Sequence, residues 1–230
     1  MIVNTTAIVL KTFPYGETSL ISRCFTKEKG KISFIIKGAQ SKKNLLSPYF
    51  QPLSYIQIIY NENVKRELQI ISKVNFVNIW LKIPNSLKKM TLLQSILEIT
   101  DFTLEKNDPH LGLFNVLIES INYFENNQFK ENLIFWFYEC ELLSELGFRI
   151  DLKNNEGNKY DITSSKIEGE SLIILKHLLN KSIEQVKFDK VLKKDRKIIS
   201  NYLYQQLCYN LDGFDRLKSF KVVRDILNSV

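Results

Sequence analysis

The hydrophobic periodicity of this chain changes once, between residues 77 and 84, and no other feature constrains its fold as strongly. Before the change, apolar residues alternate with polar ones, as at Ile32, Phe34 and Ile36, which is the period of a β-strand. After the change, apolar residues recur every three or four positions, as in 114–121, which is the period of a helix. The sequence therefore predicts an α+β protein, with strands first and helices second.

Residues 1–80 predict five short strands. Gly30 ends a polar hairpin turn, where a left-handed conformation suits glycine. A long connection separates the third strand from the fourth. Five strands with this spacing predict a small closed barrel of the OB-fold type. The clearest strands are at 19–26, 31–37, 55–60 and 68–74, after a first strand around 6–11.

Residues 81–230 predict an α-helical domain. Pro84 is expected to start the first helix, and Asp108-Pro109 the second, because a capping acid and a proline favour a helix start. Gly147 suits the end of a third helix that starts near residue 131. Residues 149–170 are polar and turn-rich and predict a short irregular insert. Three further helices are predicted near 171–181, 194–211 and 216–228.

Charge is distributed unevenly along the chain. The formal net charge is +7, and residues 1–80 hold 11 Lys and Arg against 4 Asp and Glu. Residues 81–180 hold 10 against 15. A uniform bias toward lysine cannot produce this segregation. The N-terminal block therefore predicts a module that binds a polyanion such as nucleic acid.

Five cations of this block are the predicted DNA contacts, because a cluster of cations can follow a phosphate backbone and release its counterions. They lie on the second and third strands and on the connection that follows, and the alternative is an ordinary solvated lysine face. The predicted contacts are Arg23, Lys31, Lys37, Lys42 and Lys43.

Three aromatic residues lie in nearby loops. Tyr15, Tyr49 and Phe50 could stack on unpaired bases. For Tyr49 and Phe50, which two prolines flank, the favoured alternative is that they seal the end of the barrel.

Catalytic and metal-binding sites are not expected. The eight glycines form no phosphate-binding loop, and the two histidines and three cysteines have no ligand-spaced partners. No cofactor or metal is therefore predicted, and the protein is expected not to be an enzyme. The chain has neither an apolar stretch of membrane-spanning length nor a leader pattern, so a cytoplasmic location is expected.

Several short motifs occur in an order that resembles the RecO family of bacterial recombination mediators. Near the N-terminus they are 6–10, 15–19, 25–26 with Gly30, and 37–39; later ones are 142–148, 209–214 and 216–219. Many family members carry a zinc site of four cysteines just after the region that corresponds to 142–148. Residues 148–170 of this chain contain no cysteine, so zinc is not expected here.

The resemblance implies a nucleoid-associated adaptor in recombinational DNA repair. It implies that the barrel binds single- and double-stranded DNA and anneals complementary strands. The implied protein partners are RecR, the acidic tail of the single-stranded-DNA-binding protein and, indirectly, RecA. Arg216, Lys218 and Arg224 are the expected partner contacts, although an ordinary basic helix surface is the favoured interpretation of any single one of them.

Two other functions fit the composition. The first is a small RNA-processing hydrolase or transferase that uses the barrel as a substrate clamp. The second is a structural subunit that meets nucleic acid only through its partners.

Overall fold

The computed structural model describes residues 1–41, 46–152, 167–186, 191–217, 219–220 and 222–223. Its strands close into a barrel with the order β1-β2-β3-β5-β4. The α+β class and the N-terminal five-stranded OB-fold barrel are confirmed. The strands are β1 Ile2–Tyr15, β2 Ser19–Thr26, β3 Gly30–Ile36, β4 Tyr55–Asn61 and β5 Leu68–Asn78.

Strand β1 is longer than the sequence predicts because it pairs with two neighbouring strands, one along each part of its length. Its first part, Ile2–Ile8, pairs with β4, and its second part, Ala7–Tyr15, pairs with β2. The register shifts between Val9 and Lys11, a bulge of the kind that bends a strand. The barrel closes where β3 and β5 pair in parallel.

The predicted alternation along β3 is confirmed. Ile32, Phe34 and Ile36 are buried, while the residues between them are partly exposed. Phe34 packs edge to face on Tyr60 with ring centroids 5.2 Å apart. These two aromatic side chains fill the barrel interior together with Phe50, because a five-stranded barrel is too narrow to hold anything but side chains.

The described helices follow the barrel in sequence. The chain forms two compact units, of which one contains residues 1–81 and 96–114, and the other contains 82–95 and 115–230. The division of the chain near residue 80 stays a prediction. None of the described helices is long and apolar enough to cross a membrane. The helices are α1 Leu87–Thr103, α2 Leu111–Asn126, α3 Glu131–Glu145, α4 Gly169–Leu179 and α5 Lys193–Asn210.

Two predicted helix starts were wrong. Pro84 lies in a short 3-10 turn, Ile83–Asn85, and α1 begins at Leu87 after the extended residue Ser86. Helix α2 begins at Leu111, because the backbone of Asp108 packs against a strand instead of opening the helix.

Helix α3 is the buried element of the second unit. Every residue from Asn132 to Leu143 is buried, and Trp136 donates a hydrogen bond to the Ser200 hydroxyl over 3.1 Å. The buried stretch includes two carboxylates. Glu141 pairs with Lys181 at 2.6 Å. Glu139 is 2% exposed and forms no ion pair with another described residue, and burial raises its pKa well above the ordinary value.

The Gly30→Ala variant should lose far more stability than Gly16→Ala. Both glycines have positive φ angles, +69° and +61°, so each alanine costs about 1–2 kcal/mol of backbone strain. A Cβ at Gly30 would also lie 2.0 Å from the Asp108 carbonyl oxygen, whereas a Cβ at Gly16 meets open space. Urea denaturation of both variants tests this difference, and equal losses would contradict the described contact.

The Glu139→Gln variant should remove a pH dependence of folding. Because the folded state raises the pKa of Glu139, the contribution of this group to wild-type stability is greatest below the unfolded-state pKa of roughly 4.3 and falls as pH rises toward the folded-state pKa. The neutral glutamine does not titrate. Urea denaturation at pH 5 and pH 8 should show that the variant loses less stability between these pH values than the wild type, and parallel curves would refute the assignment.

Candidate nucleic-acid interface

The loop between α1 and α2 lies directly against β3. Gly30 permits this approach because it has no Cβ, which would overlap the Asp108 carbonyl. One residue along, the Asn107 N–H donates to the Lys31 carbonyl over 3.0 Å. The backbones of Lys31 and Lys106 consequently form a parallel β-bridge. A lysine from the helical half of the sequence is thereby placed next to one from the barrel.

Two predicted DNA contacts, Arg23 and Lys31, converge on a single carboxylate. The Arg23 guanidinium lies 3.1 Å from one oxygen of Asp101, and the Lys31 ammonium lies 3.7 Å from the other. Lys31 also donates to the Asp101 carbonyl over 2.5 Å. Burial lowers the pKa of Lys31, and the negative charge of Asp101 opposes that shift.

Lys37 lies at the other end of β3. It is exposed and follows the last residue of the strand. Six residues at roughly 3.3 Å each separate it from Lys31 by about 20 Å. Lys42 and Lys43 lie outside the described residues. The structure therefore brings Arg23 and Lys31 together and leaves Lys37 at a distance, and all five contacts stay predictions.

The loop aromatics divide into two kinds. Phe50 is fully buried in the barrel core, and the Tyr49 ring stacks on Phe76 with centroids 4.4 Å apart. The interpretation that Phe50 seals the barrel is confirmed, and stacking on a base is wrong for this residue. Tyr15, at the end of β1, is 52% exposed.

The sequence analysis did not identify one further feature, the outer face of the second half of β1. Lys11, Phe13 and Tyr15 are exposed at alternate positions, which places them on one face. Arg23 of β2 pairs with Lys11 in the register and lies 6.0 Å from the Phe13 ring centroid. Exposed rings beside cations are the arrangement by which proteins hold single-stranded nucleic acid. The period-2 alternation could have revealed Phe13.

A second unanticipated feature is a cleft of about 230 Å³ beside β3. Its charged lining residues come from β3, from the β4–β5 turn and from the α1–α2 loop. We call it the β3 cleft. Those charged residues are Lys31, Lys65, Arg66, Glu67 and Lys106.

The expected partner contacts are described only in part. Arg216 is exposed at the end of a 3-10 turn, Phe214–Arg216, which follows Gly213 in a left-handed conformation. Lys218 and Arg224 lie outside the described residues. Within the described part of the chain, no group of three or more His, Cys, Asp or Glu could hold a metal ion.

Comparison with known proteins relates both halves of the chain to one family. A family model described as "Recombination protein O N terminal" matches residues 1–80. A second model, "Recombination protein O C terminal", matches residues 84–170.

Individual relatives carry the name DNA repair protein RecO. A protein from Salinibacter ruber is 30% identical over 64% of this chain and 56% of its own length. One from Chloroherpeton thalassium is 30% identical over 66% of this chain and 59% of its own length. Both matches therefore span less than two thirds of the relative. A third, from Flavobacterium psychrophilum, is 26% identical over 99% of this chain and 100% of its own length. Because both models of one family match successive regions, the chain belongs to the RecO family.

Proposed function

We propose that this protein is a non-catalytic DNA-binding adaptor in recombinational repair. The observation that carries the proposal is the exposed face of β1 and β2, where Lys11 and Arg23 lie on the same side as the exposed rings of Phe13 and Tyr15. Cations attract the phosphate backbone of any sequence, and exposed rings stack on bases that are not paired. The name shared by the relatives, DNA repair protein RecO, agrees with this role.

Lys37, Lys42 and Lys43 are proposed to extend the phosphate contacts along the connection after β3. Arg23 and Lys31 are proposed as weaker contacts, because Asp101 neutralises one of their two charges. Arg23 nevertheless keeps a side-chain exposure of 32%, so it can still reach a phosphate outside the barrel.

The proposed outcome is annealing of complementary strands. A cationic surface lowers the repulsion between two phosphate backbones and raises their local concentration, so no covalent step is needed. By family resemblance, the adaptor acts with RecR to load RecA onto DNA that the single-stranded-DNA-binding protein covers. Arg216, Lys218 and Arg224 are proposed to contact the acidic tail of that protein, and the adaptor is placed at the nucleoid in the cytoplasm.

A salt titration of oligonucleotide binding tests the phosphate contacts. Replacing Lys37, Lys42 and Lys43 with alanine should weaken binding to all sequences alike and flatten the log–log salt slope by about 2–3 units. The matched control replaces Lys193, Lys194 and Lys197, three exposed lysines of α5, and should leave the slope unchanged. Fluorescence anisotropy of a labelled single strand measures the salt slope of each variant.

Two results of that titration, and one of a separate RNA-cleavage assay, would contradict the proposal. Equal slopes for wild type and the barrel variant would place the phosphate contacts elsewhere. Absence of any anisotropy change in moderate salt would favour a structural subunit. A metal-dependent shortening of a labelled RNA by the pure protein would favour the hydrolase.

The Asp101→Asn variant tests the weaker contacts. Loss of this carboxylate removes the negative charge that offsets Arg23 and Lys31, so DNA affinity should rise about three- to tenfold at low salt, with a slope steeper by about 1 unit. Its stability should fall by roughly 1–3 kcal/mol, because the partly buried ion pairs of the carboxylate with Arg23 and Lys31 are lost. The control Glu170→Gln removes one exposed negative charge from α4. Equal gains in the two variants would show that Arg23 and Lys31 do not contact DNA.

A further inference from the structure

The β3 cleft concentrates positive charge in a small volume. Four cations and one carboxylate line it, which gives a formal net charge of +3 around about 230 Å³. Pockets that hold a drug-sized ligand typically measure roughly 300–1,000 Å³. The cleft is therefore large enough for a phosphate group and too small for a whole nucleotide with its base.

A buried amide orders one wall of the cleft. Gln69 is 8% exposed and donates hydrogen bonds to the carbonyls of Asn63 and Arg66, each over 2.9 Å. It also accepts from the Asn63 N–H over 3.0 Å, and the Asn63 side chain accepts from the Lys65 N–H over 3.0 Å. The β4–β5 turn is thus fixed by its own hydrogen bonds. Lys65 and Arg66 therefore extend from an ordered backbone.

The opposite wall depends on the close approach at Gly30. The backbone hydrogen bond from Asn107 to Lys31 holds the α1–α2 loop beside β3, so that Lys106 lines the cleft. Both walls belong to the unit that contains residues 1–81 and 96–114.

Three of the four cations have no acidic partner in the part of the chain that the structure describes. Lys65, Arg66 and Lys106 form no ion pair with a carboxylate of the described residues, whereas Lys31 pairs with Asp101. Nearby Lys29 also has a partner, Glu62, at 3.1 Å. Unneutralised cations that share a confined space repel one another, and an anion between them relieves that repulsion.

We propose that the β3 cleft binds a phosphomonoester, either the terminal phosphate of a DNA strand or the phosphate of a free mononucleotide. A phosphomonoester carries about −1.5 to −2 charges at neutral pH, whereas an internal phosphodiester carries only one. An internal phosphate is also flanked by two sugars, whereas a terminal phosphate is joined to one sugar and can enter the cleft more deeply. Binding of a DNA end by the cleft rests on the proposed DNA-binding function, whereas binding of a free mononucleotide does not.

Oligonucleotides that differ only in their terminal groups test the cleft separately from the proposed DNA-binding function. Three single strands of one sequence carry a 5′-phosphate, a 3′-phosphate or only hydroxyl ends, with the fluorophore placed internally. The wild type should bind at least one phosphorylated strand about fivefold or more tightly than the hydroxyl strand in moderate salt. The Lys65→Ala/Arg66→Ala variant should lose this preference, and Lys106→Ala should reduce it.

A charge-matched control uses Lys27→Ala/Lys73→Ala, which removes two exposed barrel lysines outside the cleft. This variant should keep the full end preference even if its overall affinity falls. Glu67→Gln should increase the preference, because it removes the one carboxylate of the cleft lining.

Calorimetry with thymidine monophosphate and with thymidine tests whether the cleft binds the phosphate of a free mononucleotide. Binding of the monophosphate alone, lost in Lys65→Ala/Arg66→Ala, supports the cleft even if strand ends make no difference. Absence of both the end preference and monophosphate binding overturns the inference. If the wild type does not bind the hydroxyl strand at all, the proposed DNA-binding function fails, and the calorimetry still decides for or against the cleft.

Discussion

The contact between Gly30 and the Asp108 carbonyl is the constraint on which the charged surface of the barrel depends. No side chain other than hydrogen fits at this point of β3. Because the α1–α2 loop can approach so closely, its Asn107 bonds to the strand backbone and Lys106 joins the β3 cleft. The end of α1 brings Asp101 to Arg23 and Lys31 within the same unit. One glycine thus helps set which barrel cations are neutralised and which are not.

Net charge alone could not reveal which cations of the barrel are neutralised by a carboxylate. The first 80 residues carry a large excess of lysine and arginine, but the structure separates these cations into different environments. Arg23 and Lys31 share a carboxylate. Lys65 and Arg66 line a confined cleft, and Lys37 follows the far end of β3. The positive charge of the barrel is therefore partly neutralised on one side, whereas at Lys65 and Arg66 it has no acidic partner among the described residues.

The barrel could be predicted from the sequence because its strands have a clear period of two. Ser19–Thr26 matches the predicted second strand residue for residue. The ends of β1 and β5 were underestimated, since pairing with a neighbouring strand extends each beyond its alternating core. The start of α2 was misplaced for a tertiary reason, namely the packing of Asp108 on Gly30. Local signals cannot report such a contact.

The residues of the candidate site could be predicted from the sequence only where they alternate along a single strand. Lys31 and Lys37 follow directly from the alternation in β3, and Phe13 could have been found in the same way. Lys106 could not, because it lies in the helical half of the sequence, and neither could the neutralising role of Asp101. Both depend on a contact between segments some 70 residues apart.

The parallel ladder between β3 and β5 has a mechanical consequence. Only three residue pairs, Ser33–Leu68 to Ile35–Ile70, join these strands, compared with seven between β2 and β3. The barrel should therefore separate most readily along this junction. Ser33 and Gln69 of this junction also line the cleft. An anion held there would contact both strands and oppose their separation, so occupancy of the cleft would couple directly to the closure of the barrel.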